Sequence, residues 1–265
     1  MFSLLMVPVF LALTVYNRGK GRKALARIFW IGIALLFFGV ALSGSRGAWV
    51  SFLPAILTAA YAFFKFRKNE NLPAKKVFFS ITLFVLMFAV SLAYPLVLYK
   101  FQALQEGREI DFKDFFRMLE RIRSMSDLDE LSNLGRIEIW DMTLKSFSEH
   151  PWLGVGIGNY PLVIEKDISA GKKGASAHNL YLEIGNEIGV FGAIVFVLIF
   201  LEILKTAWLA FKRSKAVFLK AYALSFGLYF IWILSYCLFD VVLLNDKVLL
   251  LFVSLTGIAY SLNKN

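Results

Sequence analysis

The chain has 265 residues, 58% of them hydrophobic and 18% charged, with 27 Phe and a net charge of +10. A soluble globular chain is about 45–50% apolar and about 25% charged, so this composition excludes a soluble enzyme, and it excludes a disordered chain for the same reason. An integral membrane protein remains, in which surplus Lys and Arg mark cytoplasmic loops rather than nucleic-acid binding.

A helix that crosses the hydrocarbon core needs about 20 mostly apolar residues. Seven runs are predicted spans: Phe2–Tyr16, Ile28–Ser43, Ala48–Phe66, Val77–Tyr99, Leu180–Leu204, Ala216–Phe239 and Lys247–Leu262. The chain thus divides into four N-terminal helices over 1–99, a long loop over 100–177 and three C-terminal helices over 178–265. The loops alternate in charge. Arg18, Lys20, Arg22, Lys23 and Arg27 fill the first, residues 65–76 are basic in the third, and Lys205, Lys212, Arg213, Lys215 and Lys220 fill the fifth. These three are expected inside. The long loop holds 11 basic and 13 acidic residues and is expected outside. Met1 then lies outside and Asn265 inside. No basic residue precedes the first run, so it does not read as a signal peptide. The short first run is expected to follow further helices, either missing or supplied by another chain. The alternative is a naturally short protein with an outward start.

The long loop is too long for a passive connector. Phe112, Phe115, Phe116, Leu119 and Ile122 recur at helical spacing, and Ile137, Trp140, Leu144 and Phe147 form a second stripe. Both predict amphipathic helices that pack on the bundle or lie at the interface. His150-Pro151 ends the second. Gly154, Gly156 and Gly158 then suit a tight loop that exposes backbone. No Lys-Ser/Thr pair follows, so the run is not a P-loop, and a tight turn at the membrane surface is the expected reading.

Arg46, in Ser43-Gly-Ser-Arg-Gly47, sits between two apolar runs. An arginine there either meets an anion, through its planar fork, or snorkels to water. His178 opens the fifth span. Asn179, Glu183 and Asn186 follow at i, i+4 and i+7, with Glu187 beside them. This polar stripe reads either as a functional site with a histidine that titrates near neutral pH or as a capped helix start with a buried network. Arg136 alone reads as a solvated helix residue. Asp240 and Asp246 could bind a cation, but two acids in a polar turn are commonplace. Cys237 is the single cysteine, so no disulfide forms within the chain.

The run Ser176-Ala-His178-Asn179, nine residues, Gly189, two residues, Gly192 resembles the signature of O-antigen ligases and related polymerases. Gly135-Arg-Ile-Glu-Ile-Trp140 and His150-Pro-Trp-Leu-Gly-Val-Gly-Ile-Gly-Asn159 are similar to that family's large periplasmic loop, and Ser45-Arg46-Gly47 to its short arginine loop. The resemblance covers about residues 40–200. It implies an all-α, GT-C-like polytopic fold in the bacterial inner membrane, with a large helical loop and active face in the periplasm. Here about five N-terminal spans of that fold are expected to be unaccounted for.

The resemblance also implies the reaction. A glycan moves from undecaprenyl pyrophosphate to an acceptor hydroxyl, with lipid A–core the expected acceptor. A growing polysaccharide or a protein is the alternative within the family. Arg46 and Arg136 are expected to hold the donor pyrophosphate and His178 to act on the acceptor hydroxyl. Asn179, Glu183, Asn186, Gly189 and Gly192 would support them. No cofactor, metal or nucleic acid is expected. Membrane lipids are the expected surroundings. From other classes, a lipid-linked glycan transporter and an inactive truncated scaffold stay open.

Overall fold

A computed structural model of the chain describes residues 2–42, 45–66, 131–165 and 176–264. Nine α-helices fall among these residues: α1 Val7–Gly19, α2 Lys23–Leu42, α3 Arg46–Val50, α4 Phe52–Phe66, α5 Leu131–Glu149, α6 Tyr160–Glu165, α7 Leu180–Arg213, α8 Val217–Tyr236 and α9 Asp246–Lys264. Short 3-10 turns cover Phe2–Met6 and Val242–Leu244. No strand is found among the described residues. The chain is an all-α membrane protein. The expected span Val77–Tyr99 and the expected loop helix around Phe112–Ile122 lie outside the described residues.

The six other expected spans are helical. Those in α2, α7, α8 and α9 are long and apolar enough to cross a membrane. The first expected span starts as a 3-10 turn of 5 residues and continues as 13 residues of α-helix, with Pro8 at its start. Its higher rise per residue lets this combination reach about 30 Å, close to a hydrocarbon thickness. The third is interrupted at Ser51. Pro54 explains the break, because it has no N–H for the Val50 carbonyl and its ring crowds that group. Ser51 instead turns back on Gly47, through N–H at 3.1 Å and hydroxyl at 2.6 Å.

α8 is the central helix. α1, α4, α7 and α9 all pack on it, and it buries Phe226, Phe230 and Trp232 almost completely. Phe226 and Phe230 stack on Phe252 of α9, and Trp232 stacks on Phe52 of α4. Lipid is as apolar as these side chains, so close packing and satisfied polar groups hold such a bundle together. Accordingly, the Trp232 indole donates to the Ala48 carbonyl at 3.2 Å and the Tyr222 hydroxyl to that of Leu255 at 2.7 Å. On α2 the outward stripe Ile28, Ile31, Leu35 and Phe38 stays exposed, as lipid-facing residues are.

One end of the bundle is basic. Tyr16 of α1 meets Phe218 of α8 with ring centroids 5.2 Å apart, so the turns around Lys20 and Lys215 sit side by side. Arg213 donates to the Asn263 carbonyl at 2.9 Å and to its side-chain oxygen at 2.7 Å. The first and fifth loops therefore share an end, as the alternation of loop charge expects, while residues 67–76 of the third lie outside the described residues. α7 starts at the opposite end, and α8 finishes there.

Candidate active site

The opposite end is built from four pieces of chain. The first is the start of α7. Asn179 caps it, its side-chain oxygen accepting from Tyr181 N at 3.0 Å and Leu182 N at 3.2 Å, which satisfies two of the N–H groups a helix leaves open. Leu180 N donates to the Cys237 carbonyl at 2.8 Å, and the Tyr181 hydroxyl to the Leu234 carbonyl at 2.8 Å. The start of α7 is thereby pinned to the end of α8.

His178 stands just before the cap, with φ 48. Non-glycine residues rarely adopt this left-handed conformation, and holding one there costs about 1–3 kcal/mol. Its half-buried ring has a pKa below the usual histidine value. Burial is the main cause, the nearby Arg136 guanidinium acts in the same direction, and Asp240 opposes both. The imidazole is therefore neutral, and able to accept a proton, over a wider pH range than a solvated histidine.

The second piece is the end of α8. Tyr236 donates its hydroxyl proton to the Asp240 carboxylate at 2.7 Å. Having used that proton, it accepts the hydrogen bond from Ser45. Asp240 also accepts from Val241 N at 2.8 Å. The third piece is the turn that opens α3. Ser45 touches Tyr236, and Gly47 lies so close to Phe239 that a Cβ would fall 2.6 Å from that side chain's Cβ. The backbone of Arg46 is therefore placed beside the Tyr236–Asp240 pair. The fourth piece is α5, which carries Arg136 to where its charge acts on both His178 and Tyr236. Arg46 (through its backbone), Arg136 and His178 thus converge, although 132 positions separate the first from the last.

The expected stripe Asn179, Glu183, Asn186 with Glu187 is present, and past the cap its members are buried. Its partners are main-chain groups of the long loop. Glu183 accepts from Ala177 N at 2.8 Å, Glu187 from Gly158 N at 2.9 Å, and Asn186 donates to the Thr143 carbonyl at 3.1 Å. The stripe also lies mostly above the span. α7 has 34 residues, about 51 Å, against a hydrocarbon thickness of about 30 Å. Gly189 interrupts it at φ 65, ψ −171, a region open essentially to glycine alone.

The interruption frees backbone groups, and the loop uses them. Val190 N would bond to the Asn186 carbonyl in an unbroken helix, but donates to the Pro151 carbonyl at 2.8 Å. The carbonyls of Asn186 and Glu187 accept instead from Val155 N and Gly156 N, both at 2.9 Å. Contact is close enough that a Cβ on Gly189 would strike the Trp152 backbone, and one on Gly154 the backbone of Asn186 and Glu187. Gly192 leaves space filled by the Ile188 side chain. Gly154, Gly156 and Gly158 all have positive φ. The expected tight, backbone-exposing loop is therefore a clamp on the broken helix.

The face of α5 that packs holds only part of the expected stripe, the half-buried Trp140 and Phe147. Ile137 and Leu144 are exposed, whereas Ile139, Thr143 and Ser146 are buried. Thr143 donates to the Ile139 carbonyl at 2.7 Å and so accepts from the Tyr160 hydroxyl at 2.6 Å. Burial pushes the Tyr160 pKa far up, which keeps the hydroxyl protonated. Sequence reasoning passed over Tyr236, and it read Trp140 only as part of an apolar stripe and Asp240 only as an acid in a polar turn. The spacing of four between Tyr236 and Asp240, one helical turn, is the signal that was available.

The family described as O-antigen ligase matches residues 31–197. A protein of Acinetobacter baylyi, the ComP-specific O-oligosaccharyltransferase, is 24% identical over 221 residues, which is 82% of this chain and 35% of that protein. This chain therefore spans about a third of that relative's length. The family match takes in α3, the Arg136 helix, the glycine clamp and the His178 motif, and it exceeds half of the sequence. The chain belongs to the O-antigen ligase family.

Proposed function

We propose that the complete enzyme transfers a glycan from undecaprenyl pyrophosphate to an acceptor hydroxyl at the outer face of the bacterial inner membrane. The observation that carries this reading is the convergence of Arg136, His178 and the Ser45-Arg46-Gly47 turn at the end of the bundle away from the basic turns. In the reaction the acceptor oxygen bonds to the anomeric carbon, whose bond to pyrophosphate breaks. The acceptor proton passes to His178 Nδ1 or Nε2, and the undecaprenyl pyrophosphate leaves. Arg46 and Arg136 bind the donor pyrophosphate and stabilise the charge that grows on it as it departs. The neutral state favoured for His178 suits a base.

Lipid A–core is the acceptor in this reading. A protein hydroxyl is the second reading, supported by the name of the Acinetobacter relative. The buried stripe weighs against a transporter, because its polar groups hold loop backbone and do not line a pathway through the bilayer.

The test is made in the complete enzyme with the arginines. Lysine keeps the charge and loses the planar two-pronged donor. Arg46→Lys and Arg136→Lys each lower transfer by roughly tenfold or more, the effect of about 1.4 kcal/mol of lost stabilisation, at unchanged membrane levels. Full transfer in both would reduce them to surface residues. EDTA leaves transfer intact if the arginines alone neutralise the leaving group, and loss of transfer that added cation restores refutes that part of the account.

The pH dependence follows from the environment of His178. A base works in its neutral form, and the fold pulls the pKa below about 6.5, the ordinary histidine value. The acidic limb of the rate profile therefore lies below that value. Asp240→Asn removes the one charge that opposes the shift, so it moves the limb further down. An upward move contradicts the assignment.

A further inference from the structure

We propose that Trp140 and Glu183 are positioning residues, which set the distance between Arg136 and His178 by gripping the Ala177 main chain from two sides. The inference rests on the transfer reading above and adds to it a device that holds the donor-binding and proton-accepting groups together.

Ala177 is fully buried, and both of its backbone polar groups are taken by side chains. Its N–H donates to Glu183 Oε2 at 2.8 Å, and its carbonyl accepts from Trp140 Nε1 at 2.8 Å. That carbonyl belongs to the peptide unit ending at His178 N, so the indole fixes the plane that precedes the histidine. On the other side, the Asn179 cap and the Leu180 N–Cys237 carbonyl bond fix the plane that follows. His178 lies between two immobilised segments and is held at φ 48.

The grip also reaches the arginine. Trp140 is four residues after Arg136 in α5, one turn along the same face. An indole anchored beside His178 therefore places the guanidinium one turn away from it. Glu183 sits in the first turn of α7 and holds the preceding peptide unit, through the Ala177 N–H, from the opposite element. Neither residue touches the reacting atoms. The charged groups facing His178 are Arg136 from α5, Asp240 from the turn after α8 and, across Ala177, Glu183 from α7.

The test uses the full-length enzyme. Trp140 is replaced by benzothienylalanine, which keeps the bicyclic shape and lacks the N–H. In parallel, Glu183→Gln, whose amide oxygen still accepts from Ala177 N, is compared with Glu183→Leu, which cannot accept. Binding of undecaprenyl pyrophosphate, turnover of an undecaprenyl pyrophosphate-linked oligosaccharide and the pH–rate profile are measured.

The benzothienyl variant and Glu183→Leu are expected to lose about tenfold or more in kcat, because small misplacements of reacting groups are costly. Affinity for undecaprenyl pyrophosphate stays within roughly twofold, Glu183→Gln keeps most of the turnover, and the acidic limb of the benzothienyl variant rises as His178 moves away from Arg136. Unchanged kcat and an unmoved limb in that variant overturn the proposal. So does loss of donor affinity in step with kcat, which marks packing residues only. If Glu183→Leu fails to accumulate, the benzothienyl variant decides, since it deletes a single donor. His178→Ala in the same assays separates the two levels: full turnover there refutes the assignment of His178 as the base, whatever Trp140 does.

Discussion

Replacing His178 with alanine in the complete enzyme lowers glycan transfer by about 10²–10⁴-fold, the usual worth of a general base, and leaves binding of the lipid pyrophosphate largely intact. The separation follows from the site. Donor binding is assigned to Arg46 and Arg136, whose charge and planar fork match a pyrophosphate. The histidine is assigned to the acceptor proton. His178 stands outside the helix it precedes, and Asn179, not His178, supplies the cap. Removal of the imidazole therefore leaves the start of α7 in place. Donor binding and transfer are measured separately on the purified enzyme. Joint loss of both makes His178 a phosphate contact or a structural residue and ends its assignment as base.

The second large effect is on the fold. Gly189→Ala puts a side chain at φ 65, ψ −171, where strain alone costs on the order of 1–3 kcal/mol. The new Cβ also strikes the Trp152 and Leu153 backbone, which cannot rotate aside as a side chain does. The glycine clamp must then leave the break in α7, stranding the Asn186 and Glu187 carbonyls. Limited proteolysis of membranes is expected to cut near Trp152–Asn159 in this variant and to spare that loop in the native protein. Gly192→Ala also crowds its neighbour, since its new Cβ would lie 2.5–2.6 Å from the Ile188 Cβ, Cγ1 and Cδ1, but it strikes no backbone of the clamp. Equal resistance of Gly189→Ala and the native chain contradicts the clamp.

Much of the bundle is legible from apolar run length and from the alternation of loop charge, since the bilayer acts on both directly. What hydrophobicity does not report is α5. Its buried face holds Thr143 and Ser146, because its neighbours there are polar, the Tyr160 hydroxyl and the Asn186 amide. The polar stripe on α7 is visible as a pattern, but its partners are main-chain N–H and carbonyl groups, which every residue carries and no sequence pattern marks. His178 and the arginines stand out through motif and isolation. Asp240 does not, because its importance comes from Tyr236 and from chain segments distant in sequence.

The break at Gly189 also bears on how the protein is made. The upper part of α7 carries Glu183, Asn186 and Glu187, which oily surroundings would leave without partners. Those partners are supplied by Ala177, Thr143 and the segment from Pro151 to Gly158. All of them precede α7 in the chain, so they emerge from the ribosome before it does. The dependence runs in the same direction as synthesis. Every group that covers the polar face of α7 is therefore made before α7 itself, and nothing synthesised later is needed to close it.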